Sequence, residues 1–295
     1  MAGTLYIVAT PIGNLEDVTH RAVRVLGESG LIAAEDTRRA KTLLARYQIK
    51  TPVVSCHKFN ERERLDFFIG ALKEGRDVAL VSDAGTPCVS DPGGRLVARA
   101  AEEGIVVSPV CGACAATAAF SVSGFSATQF YFAGFLPRTA KDMTGLFAKY
   151  LSDGIPLVFY ESPKRIKKTV ASLGECGFGV DLCLCNDLTK KYEKIYRGSP
   201  AYVLGELNDN QSAEKGEYVC VASAAAETLK KPAADEERPR RDEWPIEAEL
   251  VRIMVEGGVS LKSATSMFHA EDKSVGKKRI YAAALNLKGL FDERA

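Results

Sequence analysis

Four stretches of the chain gather glycine, proline and small polar residues beside carboxylates and amides. They are Thr10-Pro11-Ile12-Gly13-Asn14-Leu15, Glu35-Asp36-Thr37-Arg38, Ser82-Asp83-Ala84-Gly85-Thr86-Pro87 with Ser90-Asp91-Pro92-Gly93, and Pro109-Val110-Cys111-Gly112-Ala113-Cys114-Ala115. Residues of these types let a chain bring bare backbone N–H and C=O groups against a bound molecule. One such stretch is an ordinary tight turn. Four, each directly after a run that reads as a β-strand, outline a ligand cleft, because ligands of parallel α/β sheets sit beyond the carboxyl ends of the strands. Two nucleotide-binding patterns are missing: no Gly-x-Gly-x-x-Gly follows the first strand, and no Gly-x-x-x-x-Gly-Lys-Ser/Thr occurs. Cys111-Gly112-Ala113-Cys114 has no second Cys-x-x-Cys to complete a metal site and the three histidines are scattered, so the eight cysteines read as reduced thiols and no metal is expected.

The elements that position these loops alternate. Apolar runs at 5–9, 31–34, 53–55, 78–81 and 105–107 read as strands of a buried sheet. Stretches 19–28, 38–47, 61–74, 94–103 and 113–122 read as the helices between them, the first capped by Thr19. Such alternation predicts an α/β domain with a mostly parallel sheet over 1–124. A second α/β domain with a mixed sheet follows over 125–226, with strands at 130–133, 156–160, 181–185, 194–197 and 218–222 and helices at 143–151 and 165–173. Residues 227–243, highly charged and containing two prolines, read as a linker. Three short helical patterns at 246–256, 261–268 and 277–287 make 244–295 a small helix-turn-helix-like extension.

Bulk properties limit the partners. With 39 basic and 38 acidic residues and a net charge of +1, the chain has no global electrostatic grip on nucleic acid. Any such contact falls to local clusters: Arg38, Arg39 and Lys41; Lys164, Arg165, Lys167 and Lys168; and Lys277, Lys278 and Arg279. No signal-peptide pattern and no apolar run of the ~20 residues that span a bilayer are visible, so a cytoplasmic protein without membrane contact is expected.

The loop sequences carry a resemblance. Val8 to Leu15, Ala33 to Arg38, Val81 to Pro87 and Ser90 to Gly93 are similar to the ribosomal RNA small subunit methyltransferase I family of the tetrapyrrole-methylase superfamily. So are Gly134-Phe135-Leu136-Pro137, Phe159-Tyr160-Glu161-Ser162-Pro163, Leu188-Thr189-Lys190 and Lys215-Gly216-Glu217, all in the family's order. The resemblance implies two α/β domains with a cofactor cleft between them, a homodimer, and S-adenosylmethionine as methyl donor. It further implies 2′-O-methylation of a cytidine ribose in the decoding region of 16S rRNA, in the small ribosomal subunit. Two alternatives stay open: a methyltransferase of the same fold acting on a small molecule such as a tetrapyrrole, and a non-catalytic RNA-binding assembly protein.

By the same resemblance, Ile12, Asp83, Ala84, Gly85, Val89, Cys114 and Ala115 are the expected cofactor contacts. Asn14, Arg38, Tyr160 and Glu161 are the expected substrate contacts. Glu35 or Asp36 is expected to accept the hydroxyl proton and Lys190 to stabilise the alkoxide, the alternative for each being an ion pair that braces the cleft. The chain departs from the family at three places. Cys111-Gly112-Ala113 stands for Pro-Gly-Pro, Asn186-Asp187 for Arg-Glu, and Lys164 for a histidine.

Overall fold

The computed structural model describes residues 2–225, 245–271 and 275–292; the expected linker at 227–243 lies outside them. Strands β1 (Leu5–Val8), β2 (Leu31–Ala34), β3 (Val53–Ser55), β4 (Val78–Val81) and β5 (Val107–Val110) form a parallel sheet in the order β3-β2-β4-β1-β5. The central strands β2 and β4, Leu-Ile-Ala-Ala and Val-Ala-Leu-Val, are buried along their whole length because helices cover both faces. Helices α1 (His20–Glu28) and α2 (Thr37–Arg46) pack on one face through Leu26 and Leu43. Helices α3 (Glu61–Lys73) and α4 (Gly94–Glu102) pack on the other through Phe68, Leu72 and Leu96.

The caps follow the sequence. The Thr19 hydroxyl accepts from the Ala22 N–H at 3.0 Å and the Asp36 carboxylate from the Arg38 N–H at 2.8 Å. The start of α4 has no capping side chain of its own. The buried Glu61 carboxylate serves it from α3, accepting the Arg95 and Leu96 N–H groups at 2.9 and 3.3 Å.

One strand lies later than its apolar run predicts. Ile105 does not begin β5; its N–H bonds the Ala100 carbonyl at 2.9 Å and closes the end of α4. The strand runs from Val107 to Val110 and contains Pro109. Proline is tolerated there because β5 is an edge strand, paired among the described residues with β1 alone.

The second sheet is mixed. Strands β6 (Tyr131–Phe135), β7 (Leu157–Glu161), β8 (Val180–Asn186), β9 (Lys194–Gly198) and β10 (Tyr218–Ala224) lie in the order β6-β7-β10-β8-β9. The β6–β7 pair is parallel and the other neighbours are antiparallel. Helices α6 (Ala140–Leu151), α7 (Ile166–Gly174) and α8 (Pro200–Asp209) cover one face around Phe147, Phe159, Leu173 and Leu207. Helix α8 is an element absent from the expectations above. The other face is covered by α5 (Ala115–Ser123), which follows β5 in the chain yet packs Ala116 and Ala119 on Val158, Cys183, Cys185 and Val221.

Contacts divide the chain into two compact units, Met1–Lys230 and Lys231–Ala295. In the second, helices α9 (Ile246–Gly257), α10 (Leu261–Glu271) and α11 (Lys277–Asp292) close on a core of Leu250, Ile253, Phe268 and Ile280. Among the described residues no helix is long and apolar enough to cross a membrane.

Candidate active site

A cavity of about 340 Å³ lies where the carboxyl-end loops of the first sheet meet one edge of the second. Its volume is that of a small-molecule site. The first sheet contributes Ile12, the loop after β4 (Ala84, Gly85, Val89, Asp91) and the start of α5 (Cys114, Ala115). The second contributes Phe135, Tyr160, Leu188, Lys190 and the segment Gly216 to Val219. These come from the ends of β6, β7 and β8 and the beginning of β10, which the alternating strand directions bring to a single edge.

Backbone bonds tie the first-sheet loops together. Thr10 and Gly85 exchange two N–H···O bonds of 2.8 and 3.0 Å, and the Thr86 hydroxyl donates to the Ala113 carbonyl at 3.0 Å. Small or apolar side chains along these loops leave the lining mostly apolar.

Lys190 is the lysine of this lining. It sits on a turn, Asp187 to Lys190, in which Asp187 and Thr189 both hold left-handed φ values, 53° and 63°. Such conformations persist only where the surroundings fix them, and here both sides do. On one side Gly13 approaches so closely that a Cβ on it would stand 2.6 Å from Lys190 Cγ and 2.7 Å from Thr189 Oγ1, and the Asn14 N–H donates to that hydroxyl at 3.0 Å. On the other, Gly216 at φ +82° leaves room for the Asp187 carboxylate, 2.3 Å from where its Cβ would be. Lys190 Nζ donates to Asp187 Oδ1 at 2.7 Å and to Glu217 Oε2 at 2.9 Å. Burial alone would lower the Lys190 pKa. The hydrogen bonds and charges of Asp187 and Glu217 outweigh it and hold the pKa above the ordinary lysine value. Lys190 is therefore an ammonium, unable to act as a base, with one of its three N–H donors left for a ligand.

The profile of the family described as Tetrapyrrole (Corrin/Porphyrin) Methylases matches residues 4–202. The ribosomal RNA small subunit methyltransferase I of Neisseria meningitidis serogroup B is 38% identical over 288 residues, spanning 98% of this chain and 95% of its own. That of Pseudomonas aeruginosa is 40% identical over 296 residues, spanning 98% and 99%. The chain belongs to the ribosomal RNA small subunit methyltransferase I family. Among solved structures, a diphthine synthase superposes with a TM-score of 0.60 at 12% identity, over 77% of this chain and 94% of that one. A cobalt precorrin-4 methyltransferase superposes with a TM-score of 0.56 at 16% identity, over 75% and 94%. At these identities the two show the fold, which is that of the tetrapyrrole methylases.

In this chain the residues singled out from sequence separate into groups. Ile12, Ala84, Gly85, Val89, Cys114, Ala115, Tyr160, Glu161 and Lys190 border the cavity. Asp83 does not. Its carboxylate accepts the Asp36 N–H at 3.0 Å, lies 3.6 Å from Arg39, and borders a smaller pocket beside α2. Glu35 and Asp36 are also outside the lining. Burial, then the charge of Asp83, pushes the half-buried Glu35 carboxyl up. Asp36 caps α2 and binds the exposed Arg38 guanidinium at 2.7 Å, which holds its carboxyl far below the usual range. Asn14 caps the short turn Leu15–Asp17 through its side chain. Glu161 borders the cavity with its side chain buried: it accepts from the Ser162 N–H and the Thr169 hydroxyl, both at 2.8 Å, and pairs with Arg165 at 3.3 Å.

Sequence reasoning passed over Asp187 and Glu217 as the partners of Lys190, and Asp91 as a cavity carboxylate. At one departure from the family pattern, the Asn186 amide donates to the Lys215 and Glu217 carbonyls at 3.3 and 3.4 Å and so fastens the Gly216 turn to the end of β8. At another, Cys111 is a free thiol.

Proposed function

We propose that the cavity binds S-adenosylmethionine and that the chain transfers its methyl group to the 2′-hydroxyl of a cytidine ribose in the decoding region of 16S rRNA. The observation that carries this reading is the pairing of a mostly apolar cavity with one ammonium fixed at its wall by two carboxylates. The fit to the cofactor rests on the loop residues Ile12, Ala84, Gly85, Val89, Cys114 and Ala115. Their small or apolar side chains let a ligand reach main-chain groups, as a molecule with an adenine, a ribose and an amino acid moiety requires. The bound cofactor supplies a sulfonium methyl group that is already activated, so positioning accounts for most of the acceleration asked of the protein.

In this reading Lys190, at the cavity wall, stabilises the developing alkoxide. Its charge is held by a strained, clamped turn and is preorganised before substrate arrives. Tyr160 and the exposed Phe135 offer aromatic surface at the rim for a ribose or base. Action as a homodimer in the cytoplasm belongs to the same reading, on the strength of the family resemblance; light scattering that returned the mass of one chain would remove the dimer.

The test is transfer of labelled methyl from S-adenosylmethionine to small ribosomal subunits lacking the modification, followed by nuclease mapping. Label on one cytidine ribose of the decoding region is the expected result. No transfer by a chain that binds the cofactor would overturn the acceptor, and label moving to a tetrapyrrole instead would replace it.

A further inference from the structure

Four carboxylates border the cavity, and three are committed elsewhere. Asp187 and Glu217 hold Lys190, and Glu161 is taken up by Arg165, Thr169 and the Ser162 N–H. Asp91 is the fourth, and among the described residues no cation pairs with it. It ends a segment in which Cys88 and Ser90 both hold left-handed φ values, 68° and 65°, without being glycine. The strained segment runs along the cavity wall through Val89, Ser90 and Asp91, and strained residues of this kind gather at functional sites.

We propose that Asp91 is the catalytic residue that receives the proton of the acceptor hydroxyl as the methyl group moves. The inference rests on the reading of the cavity as a ribose-methylation site. The hydroxyl oxygen forms its new bond to the methyl carbon while the carbon–sulfur bond breaks and leaves its electron pair on sulfur. The hydroxyl proton passes to an Asp91 carboxylate oxygen and from there to water. A sulfonium cation and a carboxylate anion become a neutral thioether and a neutral acid, so charge balances. Lys190 steadies the oxygen while charge gathers on it, and Asp91 removes the proton; the lining holds the two groups on opposite contributions, one from each sheet.

The surroundings suit the task. Burial, and beyond it the charges of Glu35 and Asp83, push the Asp91 carboxyl up to about 6 against the pull of the Ser82 hydroxyl. At neutral pH it is ionised, with a stronger appetite for a proton than an ordinary carboxylate, the compromise a general base needs. The Cys88 thiol and the Tyr160 phenol also interact with it, and burial raises both well above neutrality, so they stay uncharged. Of the two neighbouring carboxylates, Glu35 raises it more than Asp83 does, and burial raises Glu35 in turn.

The test uses the full chain, S-adenosylmethionine and unmodified small subunits under single turnover, from about pH 5 to 8.5. Asp91→Asn should slow transfer by about 10²- to 10⁴-fold with cofactor affinity unchanged. The wild-type rate should fall about tenfold per pH unit below its Asp91 limb, and the variant should lack that limb. Glu35→Gln, which removes a neighbouring negative charge, should move the limb to lower pH. A variant within about threefold of an active wild type overturns the inference, as does a rate loss matched by an equal loss of cofactor affinity, which would make Asp91 a cofactor ligand. Should Asp91→Asn fail to fold, a limb that stays in place in Glu35→Gln overturns it equally. A wild type that binds cofactor and transfers nothing defeats the reading of the acceptor itself, and the inference with it.

Discussion

Replacing Gly13 by alanine tests whether the reach of the first loop sets the position of Lys190. The added Cβ would stand 2.6 Å from Lys190 Cγ, 2.7 Å from Thr189 Oγ1 and 2.8 Å from the Leu188 carbonyl oxygen. Ordinary contact between carbon atoms is about 3.5–4.0 Å, so the loop and the turn must part by roughly 1 Å. The Leu188 oxygen is backbone and cannot swing aside, and the Asn14 N–H bond to Thr189 Oγ1 stretches as the turn withdraws. Forcing a methyl group into such a contact costs about 1–3 kcal/mol. In a unit of this size that lowers the melting temperature by roughly 2–4 °C per kcal/mol. The larger effect should be on rate: a displacement of about 1 Å at a positioned group costs on the order of 10²-fold. Single-turnover methyl transfer, thermal melting and cofactor titration would be measured together. Because Ile12 borders the cavity, the titration separates a displaced Lys190 from a displaced cofactor. A melting temperature that falls while the rate stays within about twofold and cofactor affinity holds would refute the argument that this contact places the ammonium.

Three further outcomes are expected. Lys190→Met should slow methyl transfer by about 10²- to 10³-fold through loss of charge stabilisation. Its stability cost should be under about 1 kcal/mol, because the ion pairs it breaks are partly solvated; an unchanged rate would remove Lys190 from the chemistry. Asp91, at about 6 when folded, is raised above its unfolded value, so the fold binds its proton more tightly and loses stability as pH climbs from about 4 to about 6. Asp91→Asn should thus be more stable than wild type at about pH 7.5 by roughly 1–2 kcal/mol, allowing for the exposed part of the group, with the gap closing below about pH 4; equal melting at both pH values would contradict this. Replacing Lys277, Lys278 and Arg279, all exposed, by alanine should weaken RNA binding and reduce its salt dependence by about two to three phosphate contacts; identical binding at every salt concentration would free the helical extension from that role.

The first sheet is legible in the sequence because its central strands are buried on both faces and read as unbroken apolar runs, as at Leu31–Ala34 and Val78–Val81. Its edge is less so. Ile105 carries the apolar signal but closes α4, while Pro109, poor in any central strand, sits harmlessly in β5. Helix α8 announces itself by Ser199-Pro200, a cap followed by proline at the first helical position, a local signal set among weaker apolar periodicity. The cleft was legible in the composition of its loops. The charges in it were less so: Lys190 meets Glu217 across 27 positions, a contact that the pairing of β8 with β10 creates. Glu161 and Asp91 are alike on the page as acids after strands. The packing of Arg165 and Thr169 on the first helps set them apart.

Helix α5 has a bearing on how the chain can be divided. It is encoded with the first sheet and spends its apolar side on the second, Ala116 and Ala119 lying against Val158, Cys183, Cys185 and Val221. A fragment ending near residue 124 would carry a bare helix face, and the remainder would present an uncovered sheet, each an invitation to aggregate. A chimera that swapped the second sheet for that of a relative would have to bring the matching helix from upstream. In synthesis the helix is made before the surface it covers, so the late strands β8 and β10 arrive at a template already in place.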